Sequence, residues 1–242
     1  MDETLNNLPH VDEKIKNKFV EDQISREFQN GILTIPYRIM SPENLSTGRK
    51  YPLVVFLHGA GSRGSDNYQQ LQTLPKQLAT PLWRKKYESY VMAPQCPSEF
   101  WWGMWQVTDQ VAILIQETIQ SHPQIDPDRV YLIGLSMGGS GCWSLATRHP
   151  DLFAAIASFC GQGNPENAST MSAIPIWVVH GDDDRVINVS YSREMVHALQ
   201  KVNAKVVYHE LPGIGHNCWE ESYQEPSPMM NWMFQQNRYK RR

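Results

Sequence analysis

The chain lacks most of the features that would set it apart from an ordinary globular domain. Cysteine is scarce: 242 residues hold four, Cys96, Cys142, Cys160 and Cys218, and no two stand at metal-ligand spacing. That argues against a zinc site. Cys142 and Cys160 sit in apolar contexts and are expected to be buried, reduced thiols. No uninterrupted apolar run approaches the length of a membrane span. Basic stretches are missing except at the end, where Arg238, Lys240, Arg241 and Arg242 form a short solvated tail. With 22 Lys+Arg against 25 Asp+Glu the net charge is −3, so no nucleic-acid partner is expected. The first residues, Met1-Asp2-Glu3-Thr4-Leu5-Asn6, have neither the basic nor the apolar region of a secretory signal. The expected compartment is the cytoplasm; a secreted or periplasmic chain with its leader removed would read the same. There is no internal repeat and no low-complexity linker.

What is present suits one α/β domain, with 41% hydrophobic and 19% charged residues. Residues 1–28 are polar and read as an N-terminal extension with a short strand near Gln23–Phe28. The domain proper is expected over 29–242. Ile32–Met40 alternates like a strand, and Pro36 suggests an edge position. Leu53–Leu57, Tyr90–Ala93 and Val130–Ile133 are continuous apolar runs, the pattern of parallel strands buried on both faces. Val107, Val111, Leu114, Ile115 and Ile119 recur at helical spacing and predict a helix over 105–121. Further expected elements are a helix over 137–148, strands at 153–159 and 174–179, a helix at 189–202, a strand at 206–211 and a closing helix at 228–236. Alternating strands and helices mean a mostly parallel sheet with helices on both faces.

The chemistry centres on Gly134-Leu135-Ser136-Met137-Gly138, which follows the Val130–Ile133 strand. Alone, this is also the pattern of a tight strand-to-helix turn with a capping serine. After a buried strand it reads as a nucleophile elbow, a strained turn that lifts the serine hydroxyl above the sheet. A serine hydroxyl needs a base to take its proton, and a base of this kind needs an acid to hold its tautomer. The acid is sought after a later strand, where Asp182-Asp183-Asp184 follow His180-Gly181. Asp184 stands at the exit of the turn and is favoured, with Asp182 as the fallback. A calcium loop would space its ligands alternately along a longer segment. The base is sought after the last strand, where Pro212-Gly213-Ile214-Gly215 leads to His216. His209 lies inside a strand. His122 and His149 stand before prolines at helix ends, and His10 and His197 have no motif around them. The loop His58-Gly59-Ala60-Gly61 supplies oxyanion donors, expected as the backbone N–H groups of Ala60 and Met137. It lacks the lysine and the spacing of a phosphate-binding loop.

These motifs, with His58–Asn67 and Ala93-Pro94-Gln95-Cys96-Pro97, resemble the α/β-hydrolase fold in the same order from about residue 30 to 236. Within it they are similar to the dienelactone-hydrolase and carboxylesterase-like branch. That branch includes feruloyl-esterase, acetyl-xylan-esterase and polyhydroxybutyrate-depolymerase-like proteins and is often described as a prolyl-oligopeptidase-family peptidase. The resemblance implies a serine hydrolase without a cofactor, and in that branch the acid is the Asp three residues after His-Gly, which supports Asp184. Asn217-Cys218-Trp219 departs from the small or acidic residue usual after the histidine.

Only fourteen residues, Cys160 to Ala173, separate Phe159 from Ile174, too few for a lid domain. An open site would admit small-molecule esters or esters attached to a polymer. Trp101 and Trp102, and Trp219 near His216, are candidates for stacking on sugar or phenolic rings; the alternative for each is packing against the core. Cleavage of carboxylic esters is the leading expectation. A peptidase of the same mechanism and a hydrolase-fold protein without catalysis are the alternatives.

Overall fold

The computed structural model of the chain describes residues 13–28 and 31–239. A short helix α1 (Glu13–Lys16) precedes strands β1 (Val20–Phe28), β2 (Gly31–Met40) and β3 (Tyr51–Leu57). Helices α2 (Leu74–Leu78) and α3 (Pro81–Lys86) lead to β4 (Tyr90–Pro94) and the long helix α4 (Trp105–Ser121). Then β5 (Ile125–Leu135), α5 (Met137–Arg148), β6 (Ala155–Phe159), β7 (Ile176–Gly181), α6 (Ser190–Lys201), β8 (Val206–Leu211) and α7 (Pro228–Met233) alternate to the end.

The strands form one eight-stranded sheet in the order β1-β2-β4-β3-β5-β6-β7-β8. The run from β4 to β8 is parallel, and β1 and β2 are antiparallel to their neighbours. This is the α/β-hydrolase arrangement expected from the sequence. Only a short 3-10 helix, Pro165–Met171, lies between β6 and β7, and no lid domain is present among the described residues.

Side chains alternate along each strand, so every central strand feeds two cores. Leu53, Val55 and Leu57 of β3 and Leu132 of β5 pack with α4, α5 and α6 through Val111, Ile115, Trp143 and Met195. Val54 and Phe56, with Tyr131 and Ile133, face α2, α3 and α7 through Leu78, Trp83 and Met230. Burial on both sides explains why these strands read as unbroken apolar runs rather than alternating ones.

One expectation differs from what is seen. Pro36 does not mark an edge, because β2 lies between β1 and β4. The register sets Tyr37 against Pro94, so Pro36 lies just past the end of β4. There its carbonyl accepts the Gln95 N–H at 2.7 Å, and its missing N–H interrupts no ladder. The edge strand is β1, whose residues 20–28 fall in the stretch read as an extension and pair with β2 along their whole length. Residues 1–12 of that stretch lie outside the described residues.

Candidate active site

Five parallel strands end together. Leu57 of β3 is in register with Gly134 of β5, Leu135 with Phe159 of β6, Phe159 with Val179 of β7, and Gly181 with Leu211 of β8. The loops beyond β3, β5, β7 and β8 therefore meet at one edge, and each carries one of the expected site residues.

Ser136 links β5 to α5 with φ 55° and ψ −119°, a backbone conformation costly for any residue with a Cβ. Its N–H is tied to the Phe159 carbonyl at 2.8 Å. The flanking glycines are needed for close approach. A Cβ on Gly134 would overlap the Gly138 carbonyl, and one on Gly138 would overlap the carbonyl of Leu57. The helix thus starts directly against the end of β3.

Ser136 Oγ lies 2.8 Å from His216 Nε2, and His216 Nδ1 lies 2.7 Å from Asp184 Oδ2. A carboxylate only accepts, so Nδ1 carries the hydrogen and Nε2 is left to accept the serine proton. The Asp184 side chain is fully buried and the His216 side chain is 19% exposed. Asp184 Oδ1 accepts the N–H groups of Val186 at 2.8 Å and Ile187 at 3.0 Å. Burial pushes the Asp184 carboxyl up, but the bonds from His216 and from those two N–H groups outweigh it and hold it below its ordinary value. The carboxylate thus takes an imidazole N–H on one oxygen and two backbone N–H groups on the other.

The other two aspartates do different work. Asp182 Oδ1 accepts the Gly213 N–H at 2.6 Å and ties the acid turn to the histidine loop. Asp183 is exposed and faces Arg185 at 3.4 Å.

Gly59 lies against the elbow: a Cβ there would come within 3.6 Å of Ser136 Cβ. Among the described residues, no acceptor pairs with the backbone N–H of Ala60 or of Met137. The loop bearing Ala60 is braced from behind by His58, which is 2% exposed. Its Nδ1 bonds the Gly59 carbonyl at 2.6 Å and its Nε2 accepts the Cys96 N–H at 3.0 Å. Burial lowers the pKa of His58 to about 4, so the ring is neutral and acts as a strut.

The three tryptophans separate. Trp102 is a correction: it is 2% exposed, edge-on to His58, and its indole N–H is donated to the His58 carbonyl at 2.9 Å. It packs against α5 where a Cβ on Gly141 would meet it, so its ring belongs to the core and offers no face to a ligand. Trp101, its neighbour, is 50% exposed, with the Arg63 guanidinium 4.3 Å above its ring. Arg63 Nε in turn bonds the Ala60 carbonyl at 3.2 Å, which ties Trp101 to the loop that carries Ala60. Trp219 is partly buried and stands edge-on to His216 with ring centroids 5.7 Å apart. Sequence reasoning missed Arg63 as a rim residue and the bracing role of His58; both lie inside the His58–Asn67 motif, where a buried histidine beside a glycine turn was the available signal.

Cys160, Asp184 and His216 offer metal-ligand atoms within 4.8 Å of one another. The Asp184–His216 hydrogen bond occupies two of these groups, and burial pushes the Cys160 thiol well up, away from the thiolate that binds metals. The donor set fits proton transfer better than ion binding. Cys218, unexplained by sequence, is buried under β7 with its thiol 3.7 Å from the Val179 carbonyl.

A match to the phospholipase/carboxylesterase family runs over residues 44–231. The chain belongs to that family. It is similar to a solved thermostable esterase, with a TM-score of 0.80 and 34% identity, over 93% of this chain and 64% of that one. A ferulic acid esterase from Anaeromyces mucronatus has the same fold, with a TM-score of 0.67 and 17% identity over 90% of each chain. A bifunctional acetylxylan esterase/xylanase of Neocallimastix patriciarum is 29% identical over 156 residues, 62% of this chain and 21% of that protein. The chain spans 18% to 23% of the length of three curated relatives that it matches. No helix among the described residues is long and apolar enough to cross a membrane.

Proposed function

We propose that the chain is a serine hydrolase that cleaves carboxylic esters through an acyl-enzyme intermediate. The observation that carries this is the unbroken line from Ser136 Oγ through His216 to the buried Asp184 carboxylate. In this reading Ser136 Oγ attacks the ester carbonyl as His216 Nε2 takes its proton, and Asp184 stabilises the imidazolium. The N–H groups of Ala60 and Met137 receive the developing oxyanion. Collapse returns the proton from His216 to the leaving alcohol. Water, activated by the same histidine, then releases the acid and restores Ser136.

Esters of carbohydrates or aromatic acids are the substrate class we favour, small or polymer-attached. The short 160–173 connection, the exposed ring of Trp101 and the activities for which two similar proteins are named all support it. The cytoplasm is the compartment we favour, on the four unpaired, buried thiols.

A fluorophosphonate probe tests the mechanism. It should add once to the folded chain, at Ser136 by peptide mapping, and Ser136→Ala should abolish the label. Labelling at another residue, or none in a folded chain, overturns the proposal.

A further inference from the structure

A second histidine lies behind the acid. His180, at the end of β7, has no exposed surface. Its Nε2 lies 3.2 Å from Asp184 Oδ2, the oxygen that His216 also contacts, and 2.9 Å from the Ile187 carbonyl. Both partners are acceptors, so Nε2 carries the hydrogen. Nδ1 lies 2.7 Å from the hydroxyl of Ser192, itself fully buried, which donates to it. One ring therefore joins β7, the turn that carries the acid and the first turns of α6. The charged and titratable groups around it are Asp184 and His216 on the site side and Glu210, its register partner on β8. Glu210 is bound by Arg193 of α6 and by Tyr208.

We propose that His180 is a positioning residue that fixes the Asp184 carboxylate and shares the charge on the oxygen facing His216. This rests on reading Asp184 as the acid of the ester hydrolase. Oδ1 is held by two backbone N–H groups, which alone would let the carboxylate rock about that end. The donor on Oδ2 completes the frame, so Oδ2 points at His216 Nδ1 before substrate arrives. Sharing also spreads the charge of Oδ2 over two N–H donors, so each holds it less tightly than it would alone.

The test uses the full chain and 4-nitrophenyl acetate, with kcat and KM measured between about pH 5 and pH 9 to span the acid limb. His180→Gln places an amide N–H where Nε2 stood, His180→Asn places one where Nδ1 stood, and His180→Leu has neither. The Leu and Asn variants should lose roughly ten- to a hundredfold in kcat with KM little changed. Their acid limb should move to higher pH, because His216 then faces an oxygen it no longer shares. The Gln variant should recover most of the rate and return the limb toward the wild-type position. Equal losses in the Gln and Asn variants, or a limb that stays in place in all of them, overturns the proposal and leaves His180 a packing residue. If His180→Leu fails to fold, the Gln and Asn variants decide by the same comparison. A wild-type chain that neither hydrolyses the ester nor takes a fluorophosphonate at Ser136 overturns the underlying reading. A labelled, active wild type with indifferent His180 variants overturns this proposal alone.

Discussion

The indole N–H of Trp102 is donated to the carbonyl of His58 across 2.9 Å, which ties the loop after β4 to the loop that carries Ala60. Both groups are buried, so neither can turn to water if the other is removed. The contact makes Trp102 a part of the scaffold on which the Ala60 loop rests.

Trp102→Ala should therefore cost about 3–5 kcal/mol of stability and depress hydrolysis of every ester together. Trp102→Phe keeps most of the packing but leaves the His58 carbonyl unpaired, at a cost of about 1–3 kcal/mol. Thermal midpoints with kcat/KM for a ring-bearing and a ring-free ester check both. A loss confined to ring-bearing esters at an unchanged midpoint would return Trp102 to the binding surface.

Trp101 should behave in the opposite way. Its ring is half exposed and covered on one side by Arg63. Trp101→Ala should raise KM for feruloyl or glycosyl esters roughly two- to twelvefold, the worth of one stacking contact. Hydrolysis of 4-nitrophenyl acetate and the midpoint should hardly move. Equal KM changes for both kinds of ester would show that the ring does not read the substrate.

Within the aspartate triplet, Asp184→Asn should reduce turnover roughly a thousandfold or more, because an amide favours the wrong tautomer of His216. Asp183→Asn should change little, since the side chain is exposed and faces only Arg185. Asp182→Ala should fall between them, because it frees the Gly213 N–H and loosens the His216 loop. Single-turnover kinetics of the three variants gives the ranking, and a larger loss at Asp182 than at Asp184 would move the acid.

Buried His58 predicts a pH dependence of stability. Its pKa is about 6.5 in an unfolded chain and about 4 in the fold, where burial disfavours the charged ring. Between these values the unfolded chain binds more protons. The stabilisation is fully present above the unfolded pKa and is lost as the pH falls through that window. Below the folded pKa the loss levels off. Denaturant midpoints of wild type and His58→Gln, taken on both sides of the window, should show the shallower slope in the variant. Parallel slopes would remove His58 as the cause.

The parts of the fold that could be read from sequence are those where burial imposes a pattern. β3, β4 and β5 are apolar without interruption because helices cover both faces. Helix α4 shows its buried stripe at Val107, Val111, Leu114 and Ile115. Helices α2 and α3 left no such trace; at five and six residues each is too short to repeat a helical period. Pro36 misled because the cost of a proline in a sheet depends on which neighbour its N–H would face, and that is a matter of register. Ser136 and His216 stand out because each follows a strand on a loop with few other chemical groups, whereas Asp184 shares its turn with two more aspartates. That Asp184, and not Asp182, meets His216 follows from the turn at 182–187, where its Oδ1 folds back onto two N–H groups. Trp101 and Trp102 are adjacent and identical in type, and their opposite fates are set by Arg63 and His58, more than thirty residues away along the chain.

The positive φ at Ser136 also has a bearing on how such a chain drifts under selection. A side chain there is held against its own backbone preference at a cost on the order of 1–3 kcal/mol. Glycine would sit at that position at ease, and the chain carrying it would be harder to unfold and, under the proposed mechanism, inert. Passaged for thermal endurance alone, a population of these sequences would be under pressure to replace Ser136. Under the proposed mechanism, serine would persist at 136 only while something downstream depended on its hydroxyl, and the strained elbow would be the mark of that dependence.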